Sequence, residues 1–170
     1  MTLLLLAPIL VPLAAAAITP AAGGGGWYCV GAVMGALTIL GCGLVLAFRL
    51  GTTPHVLAGG LLRVDALSVV MLIVIGAVGV LSTVAAVGYI NTELDHGHTG
   101  AAGARLYGTL TPAFLAAMAL AVSANNIGVT WVAIEATTVI TAFLVGHRRT
   151  RASLEATWKY VIICSVGIAM

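Results

Sequence analysis

Residues Asn126 to Gly146 read NIGVTWVAIEATTVITAFLVG, an apolar run with a single carboxylate, Glu135, near its middle. About 20 helical residues at about 1.5 Å each span the ~30 Å hydrocarbon core of a bilayer, so this run predicts a transmembrane helix. Glu135 then lies near the bilayer midplane, where an ionised side chain costs roughly 2.5–3.5 kcal/mol on insertion scales. A carboxyl group at that depth is by default a candidate for a functional site.

The composition of the whole chain also indicates a membrane environment. Of its 170 residues, 61% are hydrophobic and 7% are charged, and the mean hydropathy is +1.16. A soluble domain carries about 25% charged residues, so we infer that lipid is the solvent for much of this surface. The formal net charge of +2 is too small to indicate nucleic-acid binding. The predicted fold class is all-α, a polytopic bundle of transmembrane helices.

Five apolar segments are long enough to cross the membrane, and a sixth begins near the end of the sequence. The predicted spans cover residues 3–19, 27–50, 66–90, 107–124 and 126–146, with a partial span at 158–170. Because the last run is too short to cross a bilayer, we expect residues 1–170 to be the N-terminal transmembrane part of a longer protein. The first segment resembles a signal peptide, but no Lys or Arg precedes its apolar run, which favours a retained helix.

Short polar segments mark the predicted connections between spans. The glycine-rich residues 20–26 predict a turn. Asn125 and Asn126 leave so short a break that the spans on either side must be antiparallel neighbours. Thr150 is placed to cap a helix that starts at Arg151.

Two longer polar segments, residues 51–65 and 91–105, are predicted to be solvated loops. The second contains four side chains that could in principle bind a metal: Glu93, Asp95, His96 and His98. Their spacing matches no established ligand pattern, so we predict no metal site there. The three cysteines lie singly in or at the edge of apolar segments, which favours small buried side chains over a disulfide or a metal site. No cofactor site is predicted.

Basic residues orient the predicted spans. If the five spans alternate in direction, Arg49 and Arg63 lie on one side of the membrane. Five basic residues lie on the other side: Arg105, Arg148, Arg149, Arg151 and Lys159. Because Lys and Arg are enriched in cytoplasmic connections, the N-terminus is predicted to be outside. The loop from His147 to Lys159 is predicted to be cytoplasmic.

Glu135 belongs to a polar strip on its helix. Positions three and four apart share a face, so Trp131, Glu135 and Thr138 line up, and Thr141 extends the strip. Such a strip suits a proton relay, with Glu135 as its acid and Lys159 as a peripheral candidate partner. Two alternatives stay open. Glu135 could be a protonated group that only hydrogen-bonds neighbouring helices, and Lys159 could be an interfacial lysine that extends to the headgroups.

Residues Ser123 to Met170 resemble the antiporter-like membrane subunits of respiratory complexes, in particular hydrogenase-4 component F and its relatives in membrane-bound hydrogenase and formate hydrogenlyase complexes. The matching elements are the Asn turn, the run WVAIEATT around Glu135 and the run SLEATWKY that enters the next helix. Upstream, LRVDALS and VGYI also fit. These subunits are similar to the proton-pumping subunits of NADH–quinone oxidoreductase and to cation/proton antiporter subunits.

The resemblance implies a subunit of about fourteen helices with two inverted five-helix repeats, of which this chain holds the first part. It implies that Glu135 is the half-channel acid of the fifth helix, whose partner is a lysine on the seventh helix. Lys159 matches the lysine at the start of the sixth helix.

The implied function is proton translocation coupled to electron transfer, by a non-catalytic membrane subunit of an oxidoreductase complex. The implied partners are the lipid bilayer, protons and the other membrane and peripheral subunits of a respiratory complex. The implied location is a bacterial or archaeal plasma membrane, and no cofactor is implied. The alternatives are a cation/proton antiporter subunit without redox coupling and a structural membrane subunit.

Overall fold

A computed structural model describes residues 2–20, 27–49, 54–96, 100–146 and 150–169. In these ranges the chain forms six α-helices and one β-hairpin. In chain order they are α1 Thr2–Ile18, α2 Trp27–Arg49, β1 His55–Leu57, β2 Leu62–Val64, α3 Ala66–Asp95, α4 Ala101–Ser123, α5 Ile127–Val145 and α6 Arg151–Ala169. The described chain is therefore a helical bundle, as the composition predicts.

Four of the described helices, α2 to α5, are long and apolar enough to cross a membrane. Helix α1 is apolar but has only 17 residues. Helix α6 begins with the polar sequence RASLEATWK, which lowers its overall hydropathy. The multi-span membrane class is supported on this basis, while the count of five spans and a partial sixth stays a prediction.

The polar segment 91–105 is mostly helical, so the predicted loop is wrong over much of its length. Helix α3 continues to Asp95, and α4 already begins at Ala101. The buried stripe of α3 includes Thr83, Ala86 and Ile90 and continues at helical spacing to Glu93, beyond the apolar run. Packing against α4 explains this extension, because Ile90 and Ala104 form a small apolar cluster with Leu94 and Tyr107.

A β-hairpin stands where the sequence predicts a loop before α3. Strands β1 and β2 are antiparallel, with His55 opposite Val64 and Leu57 opposite Leu62. Gly59 and Gly60 connect them with positive φ angles of 66° and 96°. Side chains other than glycine rarely adopt these angles, so the glycine pair permits the reversal. The predicted turn at residues 20–26 lies almost entirely outside the described residues.

The main apolar core lies among the first four helices and β2. Its buried side chains are Leu5, Ala36, Ile39, Leu46, Val64, Val69, Leu72, Ile75, Leu115 and Ala119. Helices α2 and α3 approach closely at Gly76, where an added Cβ would lie 2.5 Å from the backbone nitrogen of Leu40. A glycine at this position allows the two backbones to meet, as small residues do in membrane helix pairs.

The turn between α4 and α5 is bonded to the hairpin. The Asn125 backbone N–H donates to the Leu61 carbonyl at 2.8 Å, and the Asn125 side-chain amide donates to the Gly60 carbonyl at 2.8 Å. Leu62 and Ala124 also form an isolated antiparallel bridge. We call these contacts the hairpin–turn clasp. They bring the α2–α3 and α4–α5 connections to the same end of the bundle.

The local prediction for the start of α5 is confirmed. Helices α4 and α5 pack against each other across a three-residue connection, as antiparallel neighbours must. The Asn126 side chain accepts a hydrogen bond from the Gly128 backbone N–H at 2.8 Å and so caps α5. This cap sets where α5 starts and therefore the height of Glu135 along it.

Candidate functional site

Glu135 occupies the middle of α5, eight residues after Ile127 and ten before Val145. Its side chain is half-buried. The residues of the predicted polar strip all lie on α5, but their side chains differ in burial. Thr138 is buried, whereas Trp131 is 52% exposed. The strip is therefore exposed on the N-terminal side of Glu135, at Trp131, and buried on its C-terminal side, at Thr138.

The Glu135 carboxyl group is held from α6. The Ser165 hydroxyl donates a hydrogen bond to Glu135 Oε1 at 3.0 Å. The other oxygen, Oε2, is shielded from solvent and makes no hydrogen bond within the described part of the chain. Buried polar atoms are nearly always hydrogen-bonded in native proteins. One carboxyl oxygen is therefore anchored, and the other is enclosed without a hydrogen-bond partner in the described residues.

Helix α6 is tied to α5 along the rest of their contact by hydroxyl groups. The Ser153 hydroxyl donates to the Val145 carbonyl at 2.7 Å, and the Thr157 hydroxyl lies 3.4 Å from the Ala142 carbonyl. The start of α6 is as predicted, because Thr150 Oγ1 accepts from the Ser153 backbone N–H at 3.1 Å. Residues 147–149, in the predicted basic connection, lie outside the described residues.

Lys159 lies on the exposed surface of α6, where its side chain is 68% exposed and paired with Glu155. The structure does not bring Lys159 and Glu135 into contact. In the described residues the bonded neighbour of Glu135 is Ser165, and the ion-pair partner of Lys159 is Glu155. The two predicted relay residues are thus on adjacent helices with different immediate partners.

Glu93 departs from the prediction for its segment. It lies on the last turn of α3 and is only 5% exposed, whereas the sequence predicts a residue in a solvated loop. Its spacing from Ile90 and Ala86 was the available signal, since it continues the buried stripe. Asp95 and His96 lie beside it at the exposed end of the helix, and His98 is outside the described residues.

The opposite end of α3 carries a second polar group of residues. Asp65 caps α3, accepting from the Ser68 backbone N–H at 3.0 Å, and Arg63 lies 3.5 Å from its other oxygen. The Ser68 backbone N–H, the Ser68 hydroxyl and the Arg63 charge lower the pKa of Asp65 from its ordinary value. A cavity of about 400 Å³ opens beside these three residues and Asn125.

Ser165 is the site residue that the sequence does not reveal. Serine and threonine in apolar helices usually bond to the preceding turn of their own helix, so a lone serine in VIICSVGIAM carries no distinctive signal. The pairing depends on how α6 packs against α5, which local sequence does not specify. The only available signal was that a mid-span carboxyl group requires a donor from some neighbouring helix.

Together these features define a multi-span helical membrane protein with a carboxyl group enclosed between two of its helices. No family model matches the chain. The chain is similar to a hydrogenase-4 component F homolog from Methylacidiphilum infernorum (isolate V4), with 39% identity over 112 residues, or 66% of this chain. The match covers 24% of that relative, so the chain spans about a quarter of its length. This similarity agrees with the family resemblance that the sequence predicts.

Proposed function

We propose that this chain is part of a proton-translocating membrane subunit of a hydrogenase-4-like or NADH–quinone-oxidoreductase-like complex. Glu135 is the group that takes up and releases the proton. Electron transfer takes place in other subunits of the complex and drives the change in Glu135 protonation. Similarity to a curated hydrogenase component supports the class of complex.

The observation that carries the proposal is the half-bonded Glu135 carboxyl in the middle of an apolar helix. A purely structural carboxylic acid is expected to use both oxygens, because an unsatisfied buried polar atom is costly. Glu135 has Oε1 bonded to Ser165 and Oε2 enclosed without a partner in the described residues. That asymmetry suits a group whose second oxygen exchanges a proton or meets a cationic side chain from another helix.

The test compares two acid-to-amide substitutions in the full-length protein within its native membranes. Glu135→Gln keeps the size of the side chain but cannot carry an ionisable proton, so electron-driven proton translocation is expected to fall at least tenfold while assembly is retained. Glu155→Gln is the matched control, because Glu155 is an exposed acid on α6. Translocation is measured in inverted vesicles with a pH-sensitive dye. Normal translocation by Glu135→Gln would exclude the relay.

A structural role for Glu135 is the second candidate, and one contact favours it. The bond from Ser165 joins α6 to α5, so Glu135 also connects two helices. If that is its whole role, Glu135→Ala lowers the amount of assembled protein while Glu135→Gln remains fully active. The relay predicts the reverse pattern for Glu135→Gln, namely normal assembly with impaired translocation.

A further inference from the structure

We propose that Ser165 is a positioning residue for Glu135. Its hydroxyl holds Oε1 and thereby directs the exchangeable proton of the carboxyl group to Oε2. This inference rests on the proposed relay role of Glu135. It assigns a role to a residue on α6 and distinguishes the two carboxyl oxygens.

Ser165 differs from the other serine and threonine residues of α5 and α6 in what it bonds. Among the hydrogen bonds described for the serine and threonine hydroxyls of this pair of helices, every other donor bonds to a backbone carbonyl oxygen. The donors of this kind are Thr130, Thr137, Thr138, Thr141, Ser153 and Thr157. Ser165 instead donates to the Glu135 side chain across 30 positions of sequence. The Ser165 hydroxyl is therefore bonded to the Glu135 carboxyl group and not to a backbone carbonyl of its own helix.

The hydrogen bond from Ser165 determines which oxygen of a neutral Glu135 carboxyl group carries the proton. A protonated carboxyl group has one oxygen that carries the proton and one that only accepts hydrogen bonds. Because Ser165 donates to Oε1, Oε1 is the acceptor, and the proton of neutral Glu135 lies on Oε2. Oε1 is an acceptor in the ionised form as well, so the Ser165 bond survives both gain and loss of the proton.

Holding one oxygen also limits the motion of the side chain. Glutamate has several rotatable bonds and loses conformational entropy when it is fixed. With the Ser165 bond in place, Oε2 stays in its enclosed position between the helices. Without it, the carboxyl group rotates and the two oxygens become interchangeable. We expect slower proton transfer, because the exchanging atom is no longer held where its partner meets it.

The experiment uses four variants of the full-length protein in its native membrane complex. Infrared difference spectroscopy identifies the carboxyl vibration of residue 135 as the band lost in Glu135→Gln. Ser165→Ala removes the hydroxyl, Ser165→Thr keeps it, and Ser153→Ala removes another hydroxyl that bonds α6 to α5. Proton translocation is measured on the same samples.

The expected result is a shifted Glu135 band in Ser165→Ala, with translocation about five- to tenfold slower, the effect of losing one good hydrogen bond. Ser165→Thr is expected to restore both measurements, and Ser153→Ala to leave the band unmoved. An unshifted Glu135 band in Ser165→Ala overturns the inference, even where Glu135→Gln abolishes translocation. If Glu135→Gln translocates normally, the proposed function fails, while the band still reports whether Ser165 bonds Glu135.

Discussion

The first four helices and the α5–α6 pair are built differently. In the apolar windows of α2, α3 and α4, 33–39% of residues are buried, whereas only 17% are buried in α5. The main core cluster is drawn from α1 to α4 and β2, with no member from the described parts of α5 or α6. The first unit is held together by close side-chain packing. In the second, hydroxyl groups of α6 donate to the Val145 carbonyl and to the Glu135 carboxyl group of α5.

The closely packed core and the proposed proton-exchanging group thus lie in different parts of the chain. Close packing resists displacement, since a well-filled apolar core has few alternative arrangements. Glu135 lies in the less buried pair, where one hydrogen bond from Ser165 fixes its carboxyl group. A hydrogen bond therefore positions this carboxyl group, while the main apolar core lies among the first four helices and β2.

The largest expected effect comes from filling the close approach between α2 and α3. Gly76→Ala places a Cβ 2.5 Å from the Leu40 backbone nitrogen and 2.6 Å from its Cα, so the helices must move apart. Overpacking of this kind costs about 1–3 kcal/mol. We expect a clearly lower thermal unfolding midpoint in detergent. The measurement is the fraction of folded protein that size-exclusion chromatography recovers after heating.

Two other glycines test whether the comparison between the units holds. Gly88 in α3 and Gly167 in α6 have nothing within 4 Å of an added Cβ. Alanine at either position is expected to leave the unfolding midpoint unchanged or slightly higher, because alanine favours helix. If Gly167→Ala lowered the unfolding midpoint as much as Gly76→Ala, the face of α6 around Gly167 would be tightly packed in the assembled protein. That result would contradict the difference in packing between the two units.

A smaller effect is expected from cutting the hairpin–turn clasp, which joins the two units. Asn125→Ala removes the hydrogen bond from the Asn125 side-chain amide to the Gly60 carbonyl. One such hydrogen bond contributes about 1 kcal/mol to stability. Thr109→Ala is the control, because Thr109 is an exposed hydroxyl bonded within α4. The proteolysis rate of the hairpin should rise in Asn125→Ala and stay normal in the control. Equal rates would mean that the clasp does not restrain the hairpin.

The cap of α3 should make the first unit sensitive to acid. The Ser68 and Arg63 contacts lower the pKa of Asp65 in the folded protein, so folding favours its ionised form. The stabilisation is therefore complete above the ordinary pKa of about 4 and is lost as the pH falls through the lower folded-state value. Asp65→Asn should flatten this acid dependence of the unfolding midpoint. An unchanged acid profile would exclude Asp65 as its source.

The smallest expected effect concerns the exposed ion pair on α6. Lys159→Ala removes an exposed i,i+4 pair with Glu155, and such pairs contribute about 0.3–0.5 kcal/mol. We therefore expect almost no change in stability. Proton translocation gives the decisive measurement, because a role for Lys159 in the relay predicts a clear loss of rate. Normal translocation would leave Lys159 as an interfacial lysine.

Much of this architecture follows from the sequence. Long apolar runs predict the central parts of α2 to α5, and short-range chemistry predicts the Asn125–Asn126 break and the Thr150 cap. The end of α3 could not be predicted from hydropathy, because Glu93 is charged and yet is buried. The site divides in the same way. Glu135 is conspicuous as a carboxylate in an apolar run, whereas Ser165 gains its meaning only from the packing of α6.

The hairpin–turn clasp has a consequence for how the chain enters its membrane. Leu61 is synthesised well before Asn125, and both α3 and α4 come between them. If either helix failed to cross, the two residues would lie on opposite faces of a hydrocarbon layer about 30 Å thick, and their bond could not form. If α3 and α4 both cross the membrane, the bond therefore holds the start of α3, the end of α4 and the start of α5 at the same membrane face.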